Sequence, residues 1–444
     1  MAWFGLLLLI LVLLVLRQSL VLVLAVATAY VHVFLANSKI EFLIQDFWFT
    51  VDREILLSIP LFMLAGNIMS RGSIARRLID FMSSLTSWLP GGLGIACVLS
   101  CAAFAAINGS SIVTMLAIGS IMYPALISKG YNKSFALGAI ASAGTLGIII
   151  PPSIPLILYG IMTERDISKL FVAGIGPGLL LMIMFAFYAL FVNRGAQREP
   201  FTLAGFSRAF FGGAFALALP VLMIGGIYIG WFSPTEAGAV SLAYALLIEF
   251  LIHEDEHATP APAGAGLGQR VAHYFATREM TFKTLIDVIL ETTKLLATLL
   301  PLLAIAGSLN TILDHSGAPK EMVTYLSGLV QDRWALMLGI NILLLIVGCL
   351  MDVGSAILIL APLLEPLAVA KGFDPIHFGI IMITNLEIGY LTPPVGLNLI
   401  VAMAAFKESF GTIVKAVIPF IVIMAIWLFI VVTYPPLSLT LVGN

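Results

Sequence analysis

The chain has 444 residues and a formal net charge of -2; 60% of its residues are hydrophobic and only 10% are charged. Soluble domains carry roughly 25% charged residues, so composition excludes a soluble domain of any size. No strongly basic face points to nucleic acid.

Apolar runs of about 20 residues read as membrane spans. They recur along the whole chain. Ten crossings are predicted, over 3–16, 20–36, 55–70, 134–161, 168–192, 210–230, 236–252, 284–312, 376–406 and 412–434. The first is read as a retained span rather than a cleaved leader, because no basic residue precedes it and no clear cleavage site follows; the first two are short enough to form one bent helix. Two further apolar stretches, 92–127 and 335–370, each carry a polar patch at mid-length and are read as re-entrant hairpins. Segment 39–50 is amphipathic and aromatic, which predicts a helix lying in the interface. Residues 254–270 form the one linker, acidic and then Pro/Ala/Gly-rich, read as a solvated loop. Cys97, Cys101 and Cys349 sit in apolar segments with no histidine near, so they are read as small packing residues, not metal ligands.

Placement of Lys and Arg sets orientation. With the loop at Arg71, Arg76 and Arg77 inside, fourteen of the 22 basic residues fall in cytoplasmic loops, seven fall outside and Lys294 lies within a span. This puts both termini on the periplasmic side.

Two segments repeat. Gly130 precedes Pro151-Pro152 by 21 residues, and Gly372 precedes Pro393-Pro394 by 21 residues. The same shift brings Asn108-Gly-Ser-Ser111 beside Met351-Asp-Val-Gly-Ser355. Five crossings per half is an odd number, so the second copy is inverted relative to the first. The expected fold is therefore an all-α polytopic membrane protein of two inverted repeats, residues 1–200 and 201–444, each with a hairpin and a Pro-Pro-broken helix. This is the recurring plan of secondary transporters.

A Pro-Pro pair removes two amide donors. A freed carbonyl in hydrocarbon is costly unless something satisfies it. The oxygens around Gly144, Thr145 and Pro151, and around Glu387, Gly389, Thr392 and Pro393, suit a hard monovalent cation such as Na⁺. The hairpin tips supply the anion side. Ser110-Ser111 and Asp352-Val-Gly-Ser355 are expected to cap the returning helices, whose N-terminal amides attract a carboxylate. Thr114 lies one turn along. Substrate is accordingly assigned to Asn108, Ser110, Ser111, Thr114, Asp352, Ser355 and Asn398, and sodium to Asn108, Gly109, Gly144, Thr145, Pro151, Gly354, Glu387, Gly389, Thr392 and Pro393.

Other intramembrane charges are Glu236, Glu365 and Lys294. Glu365 is read as lying near the outer end of its hairpin and snorkelling, Lys294 as pairing with Glu291 or Asp287. Arg76 and Arg77 are read as setting topology. No phosphate-binding loop, zinc-protease or nucleophile-elbow motif occurs.

At these residues the chain resembles the DctM-type large membrane subunit of tripartite ATP-independent periplasmic (TRAP) transporters. The likeness runs through Ile59-Pro-Leu-Phe-Met-Leu-Ala-Gly-Asn67, Asn108-Gly-Ser-Ser111, Gly147-Ile-Ile-Ile-Pro-Pro-Ser153 and Phe232-Ser-Pro-Thr-Glu-Ala237. It continues in His377-Phe-Gly-Ile380, Asn385-Leu-Glu-Ile-Gly389 and Thr392-Pro-Pro-Val-Gly-Leu-Asn398. The linker is longer than usual. The resemblance implies a bacterial inner-membrane permease working with a small four-helix membrane subunit and a periplasmic substrate-binding protein. It implies sodium-driven import of organic acids, C4-dicarboxylates by default with sialic and other sugar acids open, by an elevator motion and with no cofactor beyond the coupling Na⁺. Two other readings remain: a self-sufficient sodium-coupled carrier, and an intramembrane enzyme using Asp352 and Glu387 as an acid pair.

Overall fold

The computed structural model describes residues 5, 8–10, 12, 13, 16, 18–35, 38–252 and 280–443. Linker 254–270 and half of the crossing at 3–16 lie outside the described residues. All regular structure among the described residues is helical, and nine helices there are long and apolar enough to cross a membrane.

The chain opens with α1 (Leu20–Tyr30), which runs on as a π turn through Leu35, and then α2 (Ile40–Val51). Helix α2 is the predicted amphipathic segment: Ile44, Trp48 and Phe49 stand exposed while Thr50 is buried. Next come α3 (Ser58–Arg71), α4 (Ile74–Thr86), and a hairpin of α5 (Gly92–Asn108) and α6 (Ser111–Ser128). Helix α4 was not foreseen. Its two arginines hide it from a hydropathy reading, yet Ile74, Ala75, Leu78 and Ile79 recur at helical spacing and are all buried.

The first broken helix comprises α7 (Lys133–Ala143), α8 (Leu146–Ile149) and α9 (Ile154–Thr163), followed by α10 (Ile167–Val192), α11 (Leu203–Ile229), α12 (Pro234–Leu247) and α13 (Phe282–Ser316). A short α14 (Ala318–Leu329) leads to the second hairpin, α15 (Arg333–Leu350) and α16 (Val353–Ala370). The second broken helix is α17 (Pro375–Gly389) and α18 (Leu397–Phe406), then α19 (Phe410–Thr433) and α20 (Pro436–Leu439).

Capping explains most helix starts. Asn132, Asp166, Asp332, Asp374 and Ser409 each accept an amide of the following first turn. Glu236, read above as an intramembrane charge, instead completes an exposed capping box with Ser233.

Packing separates two groups. Helices α3, α12 and α13, with α1 and α2, pack mainly on one another, while α11 packs chiefly on α4, which in turn packs on α5 of the first hairpin. The hairpins and broken helices pack together with α10 and α19. There α7 is almost wholly buried, and Phe135, Phe185, Tyr188 and Phe420 form an aromatic cluster between α7, α10 and α19. Buried Trp427 donates from its indole to the Pro177 carbonyl at 2.9 Å, fastening α19 to α10.

Two charge readings need correction. Glu365 does not snorkel: its side chain is 7% exposed and receives Arg165 at 2.5 Å. The partner is 200 residues away in sequence, beyond the reach of local pattern. Glu291 pairs with Arg71 at 2.6 Å rather than with Lys294. Arg77 also bonds Ser73 Oγ at 3.1 Å.

Candidate functional site

The two hairpin tips meet. Gly109, Ser110 and Ser111 of the first and Asp352, Val353 and Gly354 of the second line one cavity of about 260 Å³. Ile148 and Tyr390 enter it from the two broken helices, and Met63, Leu295, Thr298 and Leu299 close it from α3 and α13.

The first tip is built around Asn108. Its Nδ2 donates to the Phe104 carbonyl at 2.8 Å and to Thr114 Oγ1 at 2.9 Å, and its Oδ1 accepts the Ser110 amide at 2.7 Å. Gly109 then turns the chain at φ 63°, the left-handed region. A Cβ there would stand 2.5 Å from the Pro152 carbonyl oxygen. The expected Ser110 cap is absent: Ser110 occupies the N-cap position, but its side chain accepts no amide. Ser111 Oγ instead receives Asn398 Nδ2 at 2.5 Å, tying the first tip to the second broken helix. The first-turn amides of α6 thus keep their capacity for a ligand.

The second tip follows the cap reading. Asp352 accepts the Ser355 amide at 2.8 Å and the Ser355 hydroxyl at 2.5 Å. Tyr390, which sequence reasoning missed, accepts the Val353 amide through its hydroxyl at 3.2 Å. The tyrosine directly follows Gly389, and that position in the break was its only signal.

Both breaks pack on hairpins. A Cβ on Gly147 would stand 2.6 Å from the Ser110 carbonyl oxygen, and one on Gly389 would stand 2.5 Å from the Gly348 carbonyl carbon. Gly396 donates to the Cys349 carbonyl at 3.2 Å. The Pro151–Pro152 and Pro393–Pro394 bonds are both cis. Pro151 is buried and Pro393 exposed.

Of the predicted residues, Gly109, Ser110, Ser111, Asp352 and Gly354 line the cavity. Asn108, Thr114, Ser355 and Asn398 stand behind it as supports. Gly144 packs against Met115, and Thr392 Oγ1 bonds the Ile388 carbonyl at 2.8 Å. Glu387 forms a separate focus. It is 0% exposed, neither carboxyl oxygen has a hydrogen-bond partner, and it lies beside Thr145, whose hydroxyl donates to the Ser142 carbonyl at 2.6 Å. Asp352 faces the cavity and Glu387 does not, so they make no acid pair.

A family profile described as "Tripartite ATP-independent periplasmic transporter, DctM component" matches residues 7–437. The chain belongs to this family. Its relatives of named function are transporter permease proteins, not enzymes. The C4-dicarboxylate TRAP transporter large permease protein DctM of Pseudomonas aeruginosa is 38% identical over 88% of this chain and 87% of its own length. The 2,3-diketo-L-gulonate large permease YiaN of Escherichia coli is 36% identical over 87% of this chain and 86% of its own. The isethionate permease DctMQ of Oleidesulfovibrio alaskensis is 34% identical over 92% of this chain, which covers 61% of that protein. The YdaH transporter structure of Alcanivorax borkumensis aligns at TM-score 0.60 and 14% identity over 90% of this chain and 88% of its own, a likeness of fold alone. As a DctM component the chain is a multi-pass membrane protein, the permease component of a tripartite ATP-independent periplasmic transporter.

Proposed function

We propose that this chain is the permease subunit of a sodium-coupled importer of small organic acids, fed by a periplasmic substrate-binding protein and braced by a small membrane subunit. The observation that carries the reading is the convergence of both hairpin tips and both breaks on one cavity. Two helix N-termini face that space; the first-turn amides of α6 carry no side-chain cap and favour a carboxylate, whereas at α16 Tyr390 and Asp352 already take the Val353 and Ser355 amides. Glu387 is fully buried at the second break, and a cation there would offset the cost of holding its carboxylate ionised in an apolar interior. The sodium set is Asn108, Gly109, Gly144, Thr145, Pro151, Gly354, Glu387, Gly389, Thr392 and Pro393, largely through backbone oxygens.

In this reading the hairpins and broken helices, as two inverted repeats, move together against the scaffold of α3, α11, α12 and α13. That elevator motion carries the cavity across the bacterial inner membrane, and both termini lie in the periplasm. C4-dicarboxylates are the default substrate, consistent with relatives named for them.

Proteoliposomes holding this chain test the reading. Uptake of succinate should need an inward sodium gradient, the binding protein and the small subunit together. Uptake by this chain alone favours the self-sufficient carrier, and uptake indifferent to sodium removes the coupling.

A further inference from the structure

The cavity's third wall is α13, through Leu295, Thr298 and Leu299. Its lining contains one carboxylate, Asp352, and no Lys, Arg or His. An organic acid entering it therefore places negative charge near negative charge. First-turn amides and a bound cation offset this, but no side chain of the lining does.

Lys294 stands four residues before Thr298 on α13. Residues four apart share a helix face, and helical side chains lean toward the helix N-terminus. The ammonium is thus directed away from the cavity, toward the end of α13 that begins at Phe282, which the basic-residue pattern places in the cytoplasm. Lys294 is exposed. Glu291 is taken by Arg71 at 2.6 Å, and among the described residues Lys294 has no ion pair. Ionisable groups within spans face water-filled space or a partner. Without the partner, the flank of α13 below Thr298 is read as the wet side of the cavity.

We propose that Lys294 binds the substrate carboxylate on the cytoplasmic release side of the cavity. The inference rests on the permease reading. As the acid leaves the first-turn amides at the hairpin tips, Lys294 receives it one helical turn lower. It offsets the repulsion from Asp352 and favours anionic over neutral cargo.

The test uses the full complex in proteoliposomes, with succinate as the probe and half-saturation measured for uptake and for efflux. Lys294→Gln should raise the internal half-saturation about tenfold, the loss expected for one charge-assisted contact, and leave the external value nearly unaltered. Lys294→Arg should keep both. Should the Gln variant fail to assemble, Lys294→Cys treated with a cationic aminoethyl thiol reagent should regain internal affinity, and a neutral methyl reagent should not. The native cysteines are buried and do not compete. An unaltered Gln variant, an equal loss on both faces, or rescue by the neutral reagent overturns the inference while the permease reading survives. A wild-type complex that moves none of a panel of mono- and dicarboxylates overturns both.

Discussion

Asp352 caps α16 with the same carboxyl that lines the cavity. The two roles separate by substitution. Asparagine caps a helix about as well as aspartate, and alanine costs about 1 kcal/mol. Asp352→Asn should therefore keep near-wild-type thermal stability while weakening sodium-driven uptake, and Asp352→Ala should lose both; full uptake by the Asn variant would show the charge to be dispensable. Glu387 poses the complementary case, a carboxyl with no cap to make and no hydrogen bond. If the proposed sodium binds there, it stabilises the folded state by RT ln(1 + [Na⁺]/Kd). The sodium-dependent rise in Tm should vanish in Glu387→Gln, whose sodium-free Tm should equal or exceed that of wild type because an uncompensated buried carboxyl has gone. An equal sodium response in both proteins would move the cation elsewhere.

Among elements, the glycines at the breaks do the close packing. The approach of Gly389 to Gly348 is backbone on backbone, which leaves no flexible side chain to give way. Gly389→Ala should destabilise by about 1–3 kcal/mol as an overpacked contact. Gly225, inside α11 with nothing near its missing Cβ, should tolerate alanine or gain up to about 1 kcal/mol. Chemical denaturation of the two variants in detergent checks the contrast, and a neutral Gly389→Ala would contradict the packing account. Hairpins and breaks were legible in the sequence because Gly, Pro and Asn-Gly-Ser punctuate otherwise apolar runs. Helix α4 was not, because Arg76, Arg77 and Asp80 lower its hydropathy while its buried stripe is only one face wide. The cavity's far wall was equally hidden. Met63, Leu295 and Leu299 carry no motif, and what makes them lining residues is packing between helices that no local sequence pattern reveals. Ser110 misled because residue type alone does not fix the hydroxyl's direction: it holds the N-cap position of α6, yet its side chain takes no first-turn amide and the residue lines the cavity.

For the whole molecule, the account divides the chain into a moving body and a scaffold that share one cavity. Met63 on α3 and Ile112 on α6 line it from opposite bodies. Bridging Met63→Cys and Ile112→Cys through disulfides with a bis-methanethiosulfonate reagent should arrest uptake, and reduction of those disulfides should restore it. Continued transport by the bridged protein would mean that the two bodies do not move past each other. The division also explains why the function reading depends on position rather than on a charged cluster. Among the described residues no group of three or more His, Cys, Asp or Glu could hold a metal ion; in the proposed reading the site acts through helix ends, backbone oxygens and single carboxyls. The most direct measurement is a cryo-EM structure of the complex with sodium and substrate bound. The account predicts substrate density between Ser110–Ile112 and Asp352–Gly354, with cation density at the breaks near Thr145 and Glu387. Substrate density in the outer cavity lined by His32, Asp46 and His315, with the space between the tips empty, would contradict it.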